Sequence, residues 1–141
     1  MIDVEPTASR ALRGVRVLVV EDEPMVSLAL QDTLADFGCE VAGSAARLQP
    51  ALDLAHRLTF DIAVLDIDLD GTRVDRVAEA IAARRLPIVF VTGYGPDAAP
   101  RHVSGPVLEK PYETASLERA LRQALAARHE EPSGGQAAAR R

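Results

Sequence analysis

The sequence predicts an α/β fold in which a doubly wound, five-stranded parallel sheet carries helices on both faces. Short apolar runs rich in β-branched residues alternate with segments of helical periodicity along most of the 141 residues. Runs such as "VRVLVV" and "PIVFV" are apolar throughout, which is typical of strands covered on both sides. The length fits one domain with a substantial core.

Strands are predicted at 15–20, 39–42, 62–65, 88–91 and 107–108, and helices at 24–37, 48–58, 73–84 and 114–128. The stretch "GYGPDAAPRHVSGP" between the last two strands contains three glycines and three prolines. We therefore expect its helix, at about 97–102, to be short or mobile. The domain should cover residues 14–128, with flexible tails at 1–13 and 129–141.

Composition narrows the range of partners. The formal net charge of −5 argues against nucleic acid or an anionic membrane as the partner and favours proteins or small molecules. The chain has no apolar run of the ~20 residues that a membrane span requires. It also starts without the apolar core of a signal peptide. The expected location is therefore cytoplasmic, and the single Cys39 is expected to be a small buried hydrophobe.

Polar residues follow the predicted strands at the edge where α/β sheets place their chemistry. These residues are Glu21 and Asp22 after the first strand, Asp66 after the third, Thr92 after the fourth and Lys110 after the fifth.

The stretch "VLDIDLDGT" around Asp66 is compatible with several motifs. A calcium-binding EF-hand loop that starts at Asp66 requires glutamate at its twelfth position, which is Val77 here. The calcium interpretation therefore fails.

The second interpretation is the D-x-D-G-T signature of haloacid dehalogenase-type phosphohydrolases, which would use Asp68 and Asp70. Such enzymes carry a further cluster of metal-holding acids downstream of their lysine. After Lys110 the chain offers only scattered glutamates, at 113, 118, 130 and 131. The adjacent acidic pair lies upstream instead, so this interpretation is the weaker alternative.

Four motifs at four successive strand ends give a third interpretation: "VVEDEP", "VLDID", "VFVTGY" and "LEKPY". In this order they resemble the receiver domain of two-component response regulators. The stretch "PIVFVTGYG" is also similar to a single-domain subgroup whose fourth strand ends in F-x-T-G-Y. The resemblance implies a flavodoxin-like (βα)5 fold with strand order 2-1-3-4-5.

The resemblance also implies a function, that of a signalling module rather than a turnover enzyme. Asp66 would accept a phosphoryl group from a histidine kinase or a histidine phosphotransfer protein, and the module would then signal to a downstream protein whose identity is unknown. An aspartate has an ordinary pKa of ~3.9, so Asp66 needs no activating base. By resemblance, Mg²⁺ would be held by Asp22, Asp66 and the main-chain carbonyl of Asp68, with Glu21 acting through water.

The three remaining site residues are Lys110, Thr92 and Tyr94. Lys110 is the only lysine beside 15 arginines, and a compact ammonium suits a point contact to a phosphoryl oxygen. Thr92 would be the switch hydroxyl. Because position 107, where much of the family has an aromatic switch residue, is valine, we expect Tyr94 to switch together with Thr92; alternatively, Tyr94 only covers the sheet edge.

Overall fold

A computed structural model describes residues 11–95 and 98–130. The main sheet consists of five parallel strands, which are β1 (Arg16–Val20), β2 (Glu40–Ala45), β3 (Ile62–Asp66), β6 (Ile88–Thr92) and β7 (Val107–Glu109). Between β3 and β6 in the chain lies a two-stranded antiparallel sheet, formed by β4 (Asp68–Leu69) and β5 (Thr72–Arg73).

The order of the main sheet is β2-β1-β3-β6-β7. Numbered along the main sheet alone, this is the predicted order 2-1-3-4-5, so the flavodoxin-like prediction is confirmed. Such an order is built by right-handed crossovers that place helices on both faces. All five strands point the same way, and their carboxyl ends therefore meet along one edge.

Four α-helices flank the sheet: α1 (Pro24–Asp36), α2 (Leu48–Arg57), α3 (Asp75–Ala83) and α4 (Thr114–Glu130). The predicted start of the third helix at residue 73 was too early, because residues 72 and 73 belong to β5. In the described part of the chain, no helix has both the length and the apolar character needed to cross a membrane.

Two apolar clusters form the core, one on each face of the sheet. Alternate residues of β1 supply both, with Leu18 and Val20 in one cluster and Val17 and Val19 in the other. Helices α2 and α3 cover the first cluster, and helices α1 and α4 cover the second. Burial on both faces explains why the strands are apolar throughout instead of alternating.

The β4–β5 hairpin was not predicted from the sequence. Its two-residue loop is Asp70-Gly71, and both residues have positive φ, 52° and 90°. Asp-Gly is the preferred pair for a type I′ hairpin turn, which requires positive φ at both positions. The D-G-T letters of the phosphohydrolase signature therefore form a turn in this chain.

The segment between β6 and β7 contains no α-helix in its described residues, 93–95 and 98–106. The prediction of at most a short helix is confirmed there; its mobility stays a prediction. Leu12 is fully buried, and the Gly14 N–H donates to the Gly38 carbonyl (2.8 Å). Helix α4 ends at Glu130. The domain boundaries at 14 and 128 stay a prediction. The remainder of both predicted tails, 1–10 and 131–141, lies outside the described residues.

Candidate functional site

The residues that follow strands β1, β3 and β7 converge at the carboxyl edge of the sheet. Glu21 comes directly after β1, Asp66 ends β3, and Lys110 comes directly after β7. Lys110 Nζ donates to Asp66 Oδ2 (2.9 Å) and to Glu21 Oε1 (3.3 Å). One ammonium group thus joins two carboxylates that are far apart in the sequence.

Both of these carboxylates are buried; Asp66 is 6% exposed and Glu21 4%. Burial, together with the nearby charge of Asp66, raises the pKa of Glu21, although the Glu23 N–H and Lys110 favour the ionised form. Burial alone would lower the pKa of Lys110, but the hydrogen bond to Asp66 and the charges of Asp66 and Glu21 raise it above its ordinary value. Lys110 is therefore held as a cation.

Asp22 completes a group of three carboxylates. One oxygen each from Glu21, Asp22 and Asp66 lies within 4.8 Å of the others. Carboxylates packed this closely repel one another, and the single ammonium of Lys110 offsets only part of that charge. Three hard oxygen donors around one point match the preference of Mg²⁺ for oxygen ligands.

The backbone around Asp66 fixes its side chain. The Asp68 N–H donates to Asp66 Oδ1 (3.1 Å), so each carboxylate oxygen has one donor. Asp66 pairs with Val91 of β6, the residue before Thr92. The Lys110 N–H donates to the Thr92 carbonyl (2.8 Å), and the Lys110–Pro111 peptide is cis.

Thr92 and Tyr94 are adjacent but differ in environment. Thr92 is buried, and its Oγ1 accepts a hydrogen bond from the Tyr94 N–H (2.9 Å). Tyr94 is 77% exposed, so most of this residue lies in solvent.

The carboxylates required by the phosphohydrolase alternative lie apart from the cluster of three. Asp68 Oδ1 accepts from the Gly71 N–H (3.1 Å), within the hairpin, and Asp70 is exposed in the turn. The side chain of Asp68 therefore stabilises a turn, and only its backbone N–H contacts Asp66.

Sequence reasoning missed a groove beside this site, between α1 and the start of α4. Its volume is about 550 Å³, and it is lined by Val26, Ala29, Leu30, Thr33, Lys110, Pro111, Tyr112 and Thr114. Met25 and Leu28 of α1 are large apolar side chains that are 76% and 56% exposed. The only signal in the sequence was that α1 carries apolar residues around its whole circumference.

Comparison with known proteins agrees with this geometry. A family profile described as the response regulator receiver domain matches residues 17–122. The chain therefore belongs to the response regulator receiver domain family. Among curated proteins it is 33% identical over 82 residues to the transcriptional regulatory protein PdtaR of Mycobacterium tuberculosis. That match covers 56% of this chain and 39% of PdtaR, so the chain spans well under half the length of that relative.

Two solved structures are similar over most of their length. SdrG from Sphingomonas melonis Fr1 superimposes with a TM-score of 0.70 at 35% identity, over 80% of this chain and 97% of SdrG. The receiver domain of the sensor histidine kinase PA1611 from Pseudomonas aeruginosa PAO1 superimposes with a TM-score of 0.70 at 26% identity. The match covers 80% of this chain and 98% of that domain. That structure has a magnesium ion coordinated in its active site cleft.

Proposed function

We propose that this chain accepts a phosphoryl group on Asp66 in a Mg²⁺-dependent reaction and passes the signal to a protein partner by a conformational change. The observation that carries the proposal is the buried Asp66 carboxylate, hydrogen-bonded to Lys110 and grouped with Glu21 and Asp22. Phosphoryl transfer requires an ionised nucleophile and positive groups around the phosphoryl oxygens. The cluster supplies the nucleophile and one positive group.

In the proposed reaction a carboxylate oxygen of Asp66 attacks the phosphorus of a phosphohistidine. The oxygen–phosphorus bond forms as the phosphorus–nitrogen bond breaks, and the imidazole of the donor leaves. Lys110, which now donates to Asp66 Oδ2, is close enough to shift its hydrogen bond to a phosphoryl oxygen. Its ammonium group would then offset the charge that the phosphoryl group brings into the pocket.

The residues that would hold Mg²⁺ are Glu21, Asp22, Asp66 and the carbonyl of Asp68. When bound, the ion offsets negative charge on the phosphoryl oxygens. The hairpin supports the assignment of the carbonyl. Asp68 pairs with Arg73, and the neighbouring pair is hydrogen-bonded, since the Val74 N–H donates to the Ile67 carbonyl (2.9 Å).

Hydrogen-bonded and non-hydrogen-bonded pairs alternate along an antiparallel ladder. The Asp68–Arg73 pair is therefore a non-hydrogen-bonded one, in which the N–H and carbonyl of Asp68 both point away from β5. The N–H on that side reaches Asp66 Oδ1. The Asp68 carbonyl points to that same side of the hairpin, which is the orientation expected of a ligand to an ion beside Asp66.

Thr92 and Tyr94 are the proposed switch. The Thr92 hydroxyl oxygen now accepts from the Tyr94 N–H, and turning toward a phosphoryl group would break that bond. Such a break would free the backbone at Gly93 and Tyr94, at the start of the β6–β7 segment. Phosphorylation adds about −1.5 to −2 charges, which is enough to bias a two-state element of this kind.

The proposed phosphodonor is a histidine kinase or a histidine phosphotransfer protein. Its histidine must approach Asp66, and the groove beside Lys110 offers a docking surface next to that path. The proposal places this exchange in the cytoplasm. The downstream partner would be a protein that recognises the switched segment.

The test is intact-mass measurement after incubation with acetyl phosphate and Mg²⁺. We expect wild type and Asp68→Asn to gain one phosphoryl group and Asp66→Asn to gain none. Asp68→Asn is the matched control because it removes a carboxylate two residues away and leaves the backbone in place. An adduct of equal yield on Asp66→Asn would overturn the assignment.

A further inference from the structure

Arg73 connects the hairpin to the segment between β6 and β7. Its Nη2 donates to the Ala98 carbonyl (2.7 Å), and its Nε donates to Asp75 Oδ1 (3.0 Å) at the start of α3. The Ala98 contact spans 25 residues of sequence. Nη2 also lies 3.0 Å from Asp75 Oδ1, so Asp75 fixes the orientation of the guanidinium group that binds the Ala98 carbonyl.

The same segment has one more polar anchor on α3. His102 Nε2 lies 3.1 Å from Glu79 Oε2, one helical turn after Asp75. Ala98 and Ala99 also pack against the core, and Val103 is buried in it. Residues 98–103 therefore lie along α3 without forming a helix, and Arg73 is the anchor that reaches them from the hairpin.

The hairpin carrying Arg73 is rigidly attached to the core. Ile67, Leu69 and Val74 are each at most 4% exposed, and the Val74 N–H bonds to the Ile67 carbonyl. Residues 70–73 are exposed, but both ends of the hairpin are anchored in the core, and a short paired element held in this way moves as a unit. A displacement at Asp68 is therefore passed to Arg73, which faces Asp68 in a non-hydrogen-bonded pair of the ladder.

Asp68 is itself tied to the proposed acceptor, since its N–H donates to Asp66 Oδ1. Phosphorylation converts this carboxylate into an acyl phosphate. Oδ1 then either carries the phosphoryl group or becomes an uncharged carbonyl oxygen. In both cases the acceptor of the Asp68 N–H loses its carboxylate character, and a hydrogen bond to a charged group is stronger than one to a neutral group.

We propose that Arg73 is a latch: it holds residues 98–103 against α3 in the unmodified protein and loosens when Asp66 is phosphorylated. This inference rests on the proposed function. It adds a second link from the acceptor to the β6–β7 segment, through the hairpin, beside the link through Thr92. The segment between β6 and β7 is thereby linked to the acceptor through the ends of two neighbouring strands, β3 and β6.

The chain contains a reporter for this latch. Arg101 is exposed within the segment, and trypsin cleaves after arginine. Cleavage of a transiently opened segment follows the population of its open form. The rate of cleavage after Arg101, measured by mass spectrometry, therefore reports how firmly residues 98–103 are held.

We expect Arg73→Ala to speed this cleavage about fivefold in the unmodified protein, as loss of a hydrogen bond worth ~1 kcal/mol implies. Asp75→Asn keeps Arg73 but weakens the contact that orients the guanidinium group. The cleavage rate of this variant should therefore lie between the rates of wild type and Arg73→Ala. Arg76→Ala is the matched control, because Arg76 is exposed on α3 and has no hydrogen bond or ion pair within the described residues. Equal rates in Arg73→Ala and Arg76→Ala would overturn the latch.

The coupling is tested with beryllofluoride and Mg²⁺, which mimic the phosphoryl group. In wild type they should speed cleavage after Arg101, and in Arg73→Ala the remaining acceleration should be small. A merely structural Arg73 would leave the acceleration unchanged, which would contradict the coupling. If beryllofluoride fails to bind wild type by fluorine NMR, the proposed function fails instead, and the rates of the unmodified variants still decide whether Arg73 holds the segment.

Discussion

Asp22 is the least buried of the three clustered carboxylates, and its neighbour Glu23 is exposed. In the proposed site Asp22 is a ligand of Mg²⁺, whereas Glu23 contributes only its backbone N–H, which donates to Glu21 Oε2 (3.1 Å). The two adjacent carboxylates therefore have different proposed roles. Substituting Asp22 and Glu23 one at a time distinguishes these roles.

The first prediction is that Asp22→Ala lowers the affinity for Mg²⁺ by about tenfold or more, since even residues that only support metal ligands contribute at least that much. Glu23→Ala should leave the affinity close to that of wild type. Isothermal titration calorimetry with MgCl₂ measures both. Equal losses in the two variants would mean that bulk negative charge, not ligation, attracts the ion.

Lys110 has the opposite effect on the same ion. Its ammonium group lies against Asp66 and Glu21, so it repels a cation that binds there. Two unit charges about 4 Å apart interact by roughly 1 kcal/mol in water, so an ammonium group and a divalent ion repel each other by about 2 kcal/mol, or about thirtyfold in affinity. We therefore expect Lys110→Ala to bind Mg²⁺ up to about thirtyfold more tightly than wild type.

The control for Lys110→Ala is Arg76→Ala, which makes the same change in net charge on the exposed face of α3. Its affinity for Mg²⁺ should stay close to that of wild type. Weaker Mg²⁺ binding in Lys110→Ala would show that Lys110 organises the carboxylates more than it repels the ion.

At the scale of elements, β7 is held close to β6 by a glycine. A methyl group on Gly105 would lie 2.3 Å from the Ile88 carbonyl oxygen, and the next residue's carbonyl accepts from the Phe90 N–H (2.8 Å). This contact aligns the β7 end with the β6 end and so places Lys110 beside Asp66.

Gly105→Ala should therefore destabilise the fold by about 1–3 kcal/mol, the usual cost of forcing extra volume into a packed site. Gly93→Ala is the control, since an added methyl there meets nothing within 4 Å. Urea denaturation followed by circular dichroism measures both. A Gly105→Ala variant as stable as Gly93→Ala would mean that β7 can shift without cost.

The amino ends of the strands carry a different kind of contact. Arg16, at the start of β1, donates to Asp61 beside β3 through its backbone N–H (2.8 Å), its Nε (3.1 Å) and its Nη2 (3.0 Å). The hydrogen bond from the Arg16 side chain is the main cause that lowers the pKa of Asp61. The stabilisation is therefore present above the ordinary aspartate pKa of ~3.9 and is lost as the pH falls through the lower, folded-state pKa.

Asp61→Asn should accordingly lower the melting temperature at neutral pH, and its difference from wild type should shrink below about pH 4. Asp53→Asn removes an exposed ion pair with Arg57 within α2 and should change little at any pH. Calorimetric melting curves from pH 3 to 7 test this. A difference for Asp61→Asn that grows as the pH falls would contradict the assignment.

The strands and long helices could be predicted because burial on both faces of the sheet imposes continuous apolar runs, and the strand ends then located Glu21, Asp66 and Lys110. The hairpin was missed because two-residue strands carry almost no periodic pattern, although Asp70-Gly71 was a readable turn signal. The latch contact of Arg73 could not be predicted, since it depends on how two loops fold beside each other.

In the whole molecule, the two ends of the sheet have different roles. The amino ends carry contacts such as Arg16–Asp61 that stabilise the fold, and the carboxyl ends carry the crowded carboxylates. Crowded like charges cost stability unless a cation relieves them. The chain thus concentrates its electrostatic strain at the edge where the proposed reaction takes place.

The most direct test of the central claim is to locate the phosphoryl group on the wild-type chain. Borohydride reduces an aspartyl phosphate to homoserine, which tandem mass spectrometry assigns to a single position. After treatment with acetyl phosphate and Mg²⁺, homoserine should appear at position 66. Homoserine at position 22, 68 or 70, with Asp66 intact, would contradict the account.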